Sequence, residues 1–224
     1  MKISIESRIS VESKTSIKIP EKIRGVILMV EAQEIVADVH VKDRTANPSP
    51  LGFTGLGLSA TLLSLSYIGL YPVDSMIVSM AIFLGGFAQV FAGLMAWKKG
   101  SVFGGTAFCA FGLFWFSLAG LILLPAIGWI EGPEPMSLAT YLFFWGVYTF
   151  VMLIATLKLG SKAIMFIFLT LFVLFILLAI VNATENAGLL VVAGYVGLLL
   201  GLSSLYTALG EVLNDAYGRK VVPI

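Results

Sequence analysis

Charge is what the apolar part of this chain lacks. Six long apolar runs can be read, at about 51–70, 75–97, 104–128, 138–157, 163–183 and 187–210, and none contains a Lys, Arg, His, Asp or Glu. That absence argues against several chemistries at once. The runs offer no catalytic histidine, no carboxylate dyad, no metal-ligand cluster and no chain of buried acids for proton relay. The one carboxylate within reach is Glu211, just past the sixth run. An intramembrane enzyme is therefore not expected, and no cofactor or metal is called for. Cysteine is nearly absent too: Cys109 stands alone, which excludes an internal disulfide and a cysteine-built metal site. The single histidine, His40, precedes all six runs and reads as a surface residue. There is no basic stripe of the kind that binds nucleic acid. The first residues show no apolar core of a cleaved leader, so insertion is expected to begin with the first run.

Each run is close to the roughly 20 residues that a helix needs to cross about 30 Å of hydrocarbon. Only 12% of the 224 residues are charged, against about 25% in soluble domains. The sequence therefore predicts an all-α, polytopic membrane protein with six transmembrane helices. Residues 1–46 form a separate N-terminal tail and 47–224 the membrane domain. Within the tail, residues 1–19 alternate Ile or Val with Ser, Lys and Glu, as a short strand or an unfolded segment would. Residues 21–43 mix apolar and charged residues in a way compatible with a juxtamembrane amphipathic helix.

Where positive charge does occur, it is one-sided. Eight of the fourteen Lys and Arg precede the first run. Lys98 and Lys99 follow the second run, Lys158 and Lys162 separate the fourth from the fifth, and Arg219 and Lys220 follow the sixth. The remaining connections carry only Asp74, Glu131, Glu134 and Glu185. Positive charge stays cytoplasmic, so both termini are expected inside a multi-pass cell-membrane protein.

Glycine is plentiful, 23 residues in all, and Gly197 and Gly201 make a GxxxG that favours close helix packing in lipid. The run Gly52 to Gly57 follows no strand and has the wrong spacing for a dinucleotide site. The polar groups left inside the spans are uncharged. Thr54 and Thr61 lie seven residues apart in the first, Gln89 sits among glycines in the second and Thr106 lies in the third. Asn182 is in the fifth, and Ser203, Thr207, Glu211 and Asn214 recur at helical spacing along the sixth. Each can serve interhelical hydrogen bonding, worth about 0.6 kcal/mol, or line a narrow wet path. Such a path suits a small polar solute that is neutral or becomes so. An anion moving inward works against about 2.3 kcal/mol per 100 mV and must lose its water besides. A carboxylic acid escapes both costs when protonated, although at pH 7 roughly a few parts in a thousand are. Transport of that kind rises steeply as the outside turns acidic.

The approach to the first run reads Asn47-Pro48-Ser49-Pro50-Leu51-Gly52. It resembles the Asn-Pro-Ala-Pro-Leu-Gly signature of the acetate uptake transporter family, which includes the succinate–acetate permeases. Residues 82–93 (IFLGGFAQVFAG), Lys98-Lys99-Gly100, Thr106-Ala107-Phe108, Phe114-Trp115, Trp145-Gly146-Val147 and the segment from Gly210 to Asn214 running on to Pro223-Ile224 are similar to family sequence as well. The resemblance covers 47–224. It implies a six-helix protomer with its own pore, assembly as a homohexamer in the lipid bilayer, and uptake of acetate or a similar small carboxylate linked to protons. It also implies an apolar constriction built by a Phe, a Tyr and a Leu, at the positions held here by Leu56, Phe111 and Leu171. Only the leucine is retained, so the ring here is drier by one hydroxyl. Asn47 fits a cap for the first helix, with Pro48 and Pro50 stiffening its start. Two other readings stay open: a passive channel for small neutral solutes including ammonia, and a non-transporting membrane sensor or scaffold that works through the tail.

Overall fold

Short polar residues set the helix starts. Asp74, Ser101, Ser161 and Asn186 each precede a helix and accept backbone N–H groups of its first turn, at 3.0 Å from Met76, 3.1 Å from Gly104, 3.3 Å from Ile164 and 2.9 Å from Gly188. These are N-caps, satisfying donors that the helix itself leaves without a partner. Asn47 does the same two residues ahead, its Oδ1 accepting from the Ser49 amide at 3.1 Å.

The computed structural model describes residues 20–37 and 45–224. His40 and the alternating stretch 1–19 lie outside them. The chain divides into two units between Arg44 and Thr45. In the first, α1 spans Glu21–Ala37. The second holds six helices: α2 Ser49–Tyr67, α3 Ser75–Lys98, α4 Val102–Ala126, α5 Pro135–Thr156, α6 Lys162–Thr184 and α7 Ala187–Ala216. No strand occurs among the described residues. Every apolar run of the sequence is thus one helix.

Five of the six, α3 to α7, are long and apolar enough to cross a membrane by length and composition. The exception is α2, where Ser, Thr and Gly alternate with leucine. Its composition follows from its place. It packs against α7, α3 and, more lightly, α4, and Gly52, Gly55, Gly57, Ser59 and Ser64 are all buried. A helix enclosed by other helices needs small residues for close approach more than it needs lipid-facing bulk.

The α2–α7 contact shows how close that approach is. A Cβ added at Gly201 would sit 2.2 Å from Thr61 Oγ1 and 2.9 Å from the Gly57 carbonyl oxygen. The two backbones therefore touch, and the GxxxG of α7 lies on α2. The other main pairings are α5 with α6, the second half of α3 with α4, and α6 with α7. Midway along α3 the hydrogen bonding widens to a π-helix over Ala81–Ala88, immediately before Gln89. Outward faces are broadly apolar. Phe83, Phe87 and Phe91 form a column four residues apart, with Phe83 67% exposed.

Candidate functional site

Two cavities lie inside the bundle. One, of about 300 Å³, is lined by Tyr67 near the end of α2, Leu118 on α4, Leu138 near the start of α5, Asn182 near the end of α6 and Leu190 at the start of α7. These positions adjoin the connections that carry Asp74, Glu131, Glu134 and Glu185, so this is the acidic-end cavity. The other, of about 240 Å³, is lined by Ser49 and Phe53 at the start of α2, Ser101 and Phe103 at the start of α4, and Leu159 and Ile164 at the start of α6. Lys98, Lys99, Lys158 and Lys162 flank those helix starts, so this is the basic-end cavity.

Three residues line both cavities: Leu56 of α2, Phe111 of α4 and Leu171 of α6. No other residue is shared. They are 5%, 3% and 4% exposed. They form an apolar wall between two chambers that reach toward opposite ends of the bundle. Phe111 is held there by aromatic neighbours. Its ring centre lies 5.6 Å from Tyr148, 5.9 Å from Trp145, 6.0 Å from Phe168 and 6.4 Å from Phe175. The Tyr148 hydroxyl donates to the Thr106 carbonyl at 3.3 Å, tying that cage to α4. Phe114 extends the cluster, packing edge-on against Phe175 and Trp145. Such pairs add about 0.5–1.5 kcal/mol each beyond buried area, enough to fix the Phe111 ring in place.

Among the described residues, neither cavity is lined by Asp, Glu, Lys, Arg or His, and no group of side chains there could hold a metal ion. The polar groups are few. Gln89 lines the basic-end cavity, and Asn182 and Trp115 line the acidic-end one. Asn182 Nδ2 donates to the Leu178 carbonyl of its own helix at 2.8 Å. The Gln89 amide, 0% exposed, has no partner at either Nε2 or Oε1, and Trp115 Nε1 has none either. Ser64 and Ser49 also line the cavities. Ser64 carries no mark in the sequence that separates it from other hydroxyls, whereas Ser49 and Trp115 both fall in family-like stretches.

The remaining candidates sit elsewhere. Thr54, Thr61 and Thr106 line neither cavity. Thr61 Oγ1 is buried without a partner against Gly201. Thr207 Oγ1 donates to the Ser203 carbonyl at 2.9 Å and lines a separate groove with Tyr206, Lys162 and Lys220. Asn47 and Glu211 meet across 164 residues, Asn47 Nδ2 donating to the Glu211 carboxylate at 2.9 Å. Asn214 holds the C-terminal segment. Its Oδ1 accepts from the Val221 and Val222 amides at 2.7 and 2.8 Å, and its Nδ2 donates to the Val222 carbonyl at 2.9 Å.

Apolar spans around paired, uncharged chambers define a multi-pass membrane protein of the channel and transporter class. The chain belongs to the GPR1/FUN34/yaaH family, whose profile matches residues 32–222. It is 46% identical over 181 residues to the succinate-acetate/proton symporter SatP of Escherichia coli, covering 81% of this chain and 96% of that one. The solved structure of the bacterial acetate channel SatP matches with a TM-score of 0.79 at 46% identity, over 81% of this chain and 99% of that chain. The ammonia transport outward protein 2 of Saccharomyces cerevisiae is 34% identical over 182 residues, 77% of this chain and 62% of its own length.

Proposed function

We propose that this protein carries acetate, or a similarly small monocarboxylate, across the cell membrane as the protonated acid. The path runs from one cavity to the other through the wall of Leu56, Phe111 and Leu171. The observation that carries this reading is that these three side chains alone are common to both chambers. An apolar wall discriminates by charge. A carboxylate stripped of water there faces a cost of several kcal/mol, whereas a neutral acid loses one or two hydrogen bonds. Each 1.36 kcal/mol is a factor of ten in rate, so the neutral form dominates the flux despite its small share at pH 7. The proton then travels on the substrate. No acidic side chain of the protein is needed to carry it, in keeping with cavities that have none along their walls among the described residues. A proton-linked symporter and an acetate channel become two descriptions of one device, which fits the two ways the SatP relative is described.

We place both termini, and the basic-end cavity, at the cytoplasmic side, a reading that the one-sided positive charge of the sequence supports. We place the working unit in a homohexamer, on the family resemblance. The outward column of Phe83, Phe87 and Phe91 supplies apolar surface for lipid or a neighbouring protomer. The test is uptake of labelled acetate into proteoliposomes with and without an imposed inward proton gradient, corrected for protein-free liposomes. Accumulation above the outside concentration is expected with the gradient and equilibration without it. Uptake no faster than in empty liposomes under both conditions would refute the reading.

A further inference from the structure

The Gln89 amide is the one side chain lining either cavity whose donor and acceptor are both buried without a partner. It stands directly after the π-helical Ala81–Ala88 of α3. π-Helical turns are uncommon and occur often at functional sites. Gln89 shares the basic-end cavity with Leu56, and its Cγ packs where a side chain on Gly55 would be, 2.9 Å from that hypothetical Cβ. The amide therefore lies against α2 at the basic-end cavity, shut off from water. Its terminal torsion is broad, so its donor and acceptor can turn to meet a solute in the cavity that Gln89 lines. A buried polar group left unpaired is costly, and a ligand that pairs it recovers that cost.

An amide presents one donor and one acceptor side by side. Its complement is a planar group with an acceptor and a donor on one carbon. A carboxylic acid has that arrangement: its C=O accepts from Nε2–H and its O–H donates to Oε1. A carboxylate does not, because both of its oxygens are acceptors and one would face Oε1. Exchange of the Nε2 and Oε1 positions leaves the match unchanged, so it does not depend on how the amide is oriented. A primary amide has the same arrangement as the acid, with N–H in place of O–H, and it carries no charge at any working pH.

We infer that Gln89 is a two-point recognition site for such groups, and that the protein accepts short primary amides, acetamide in particular, as well as the protonated acid. The inference rests on the path proposed above. It adds a substrate class and a reason for preferring acid over anion beyond the apolar wall.

The test uses competition against labelled acetate in proteoliposomes at pH 5.5, where acetate uptake itself reports that the path works. Acetamide and acetone are close in size and shape, but acetone has no donor. Acetamide is expected to inhibit uptake at least about tenfold more strongly than acetone, the scale of one unmet buried hydrogen bond. Gln89→Leu is expected to abolish that difference, and the wild-type comparison stands alone if the variant does not assemble. Equal inhibition by acetamide and acetone in the wild type, or no inhibition by acetamide while acetate is taken up, would overturn the inference and leave the path intact. Absence of acetate uptake would instead refute the path on which it rests.

Discussion

Shortening Leu171 to alanine is the sharpest perturbation the structure offers. Leu171 is 4% exposed and faces both the 300 Å³ and the 240 Å³ cavity, so its side chain is part of what separates them. Removing three carbons has two consequences of different size. The stability cost belongs at the low end of the roughly 2–5 kcal/mol range for a buried leucine, because two sides of this one already border empty space. We expect about 2 kcal/mol, which leaves an assembled protein. The effect on flux is larger. Joining the chambers lets water follow the solute and removes much of the several kcal/mol that the wall imposes on an anion. Recovering even about 1.4 kcal/mol raises the anion's rate tenfold. The variant should therefore take up labelled acetate faster than wild type at pH 7, by less than that factor because the acid carries most of the wild-type flux, with a weaker pH dependence, and should admit lactate and succinate. The assay is initial uptake in proteoliposomes between pH 5 and pH 7.5, with thermal unfolding measured on the same preparations. If Leu171→Ala lowers the melting temperature and leaves the pH profile and substrate range unchanged, Leu171 is packing alone and the wall is not on the path.

Phe111→Tyr returns a hydroxyl to the ring; it should raise acetate affinity about fivefold, the worth of one modest hydrogen bond, read as a lower half-saturation for uptake. Glu211→Gln weakens the 2.9 Å contact with Asn47; it should cost about 1 kcal/mol of stability and leave the pH profile of uptake in place, and a flattened profile would make Glu211 a proton-handling group. Gly201→Val forces a side chain into Thr61 and the Gly57 carbonyl; it should cost about 3 kcal/mol or more, beyond the usual range for overpacking since backbone is in the way, and be seen as loss of a monodisperse peak in detergent. Lys2→Cys should resist a membrane-impermeant thiol reagent applied outside and Glu134→Cys should react, and labelling at position 2 from outside would reverse the topology.

The helices were legible because a lipid-spanning segment must be long, apolar and free of charge. Six runs were read on those conditions and six helices follow them, five of which, α3 to α7, are long and apolar enough to cross a membrane. A start point was legible at Asn47, whose side chain accepts from the Ser49 amide ahead of the first helix. The cavity walls were another matter. A helix that is apolar nearly all round has no sequence mark for the face that lines a chamber. Leu56, Phe111 and Leu171 came into view through the family resemblance, not through periodicity. Thr54, Thr61 and Thr106 share hydroxyl chemistry with Ser49 and Ser64, yet only the serines line cavities. A hydroxyl is satisfied as easily by a carbonyl of its own helix, as Thr207 shows with Ser203, so its presence says little about location. Gln89 was more informative, since an amide among glycines has few such outlets. Asn214 shows the opposite case: its polar atoms are taken up by Val221 and Val222, which no local pattern announces.

The central claim is that solute crosses between the chambers at the ring. Leu171→Cys tests it directly, because Cys109, the only native cysteine, lines neither cavity. Labelled-acetate uptake by that variant would be followed before and after treatment with a small methanethiosulfonate, with modification at position 171 verified by mass. Uptake that stops once the thiol is modified, and returns on reduction, is the predicted result. Undiminished uptake through a fully modified ring would contradict the account.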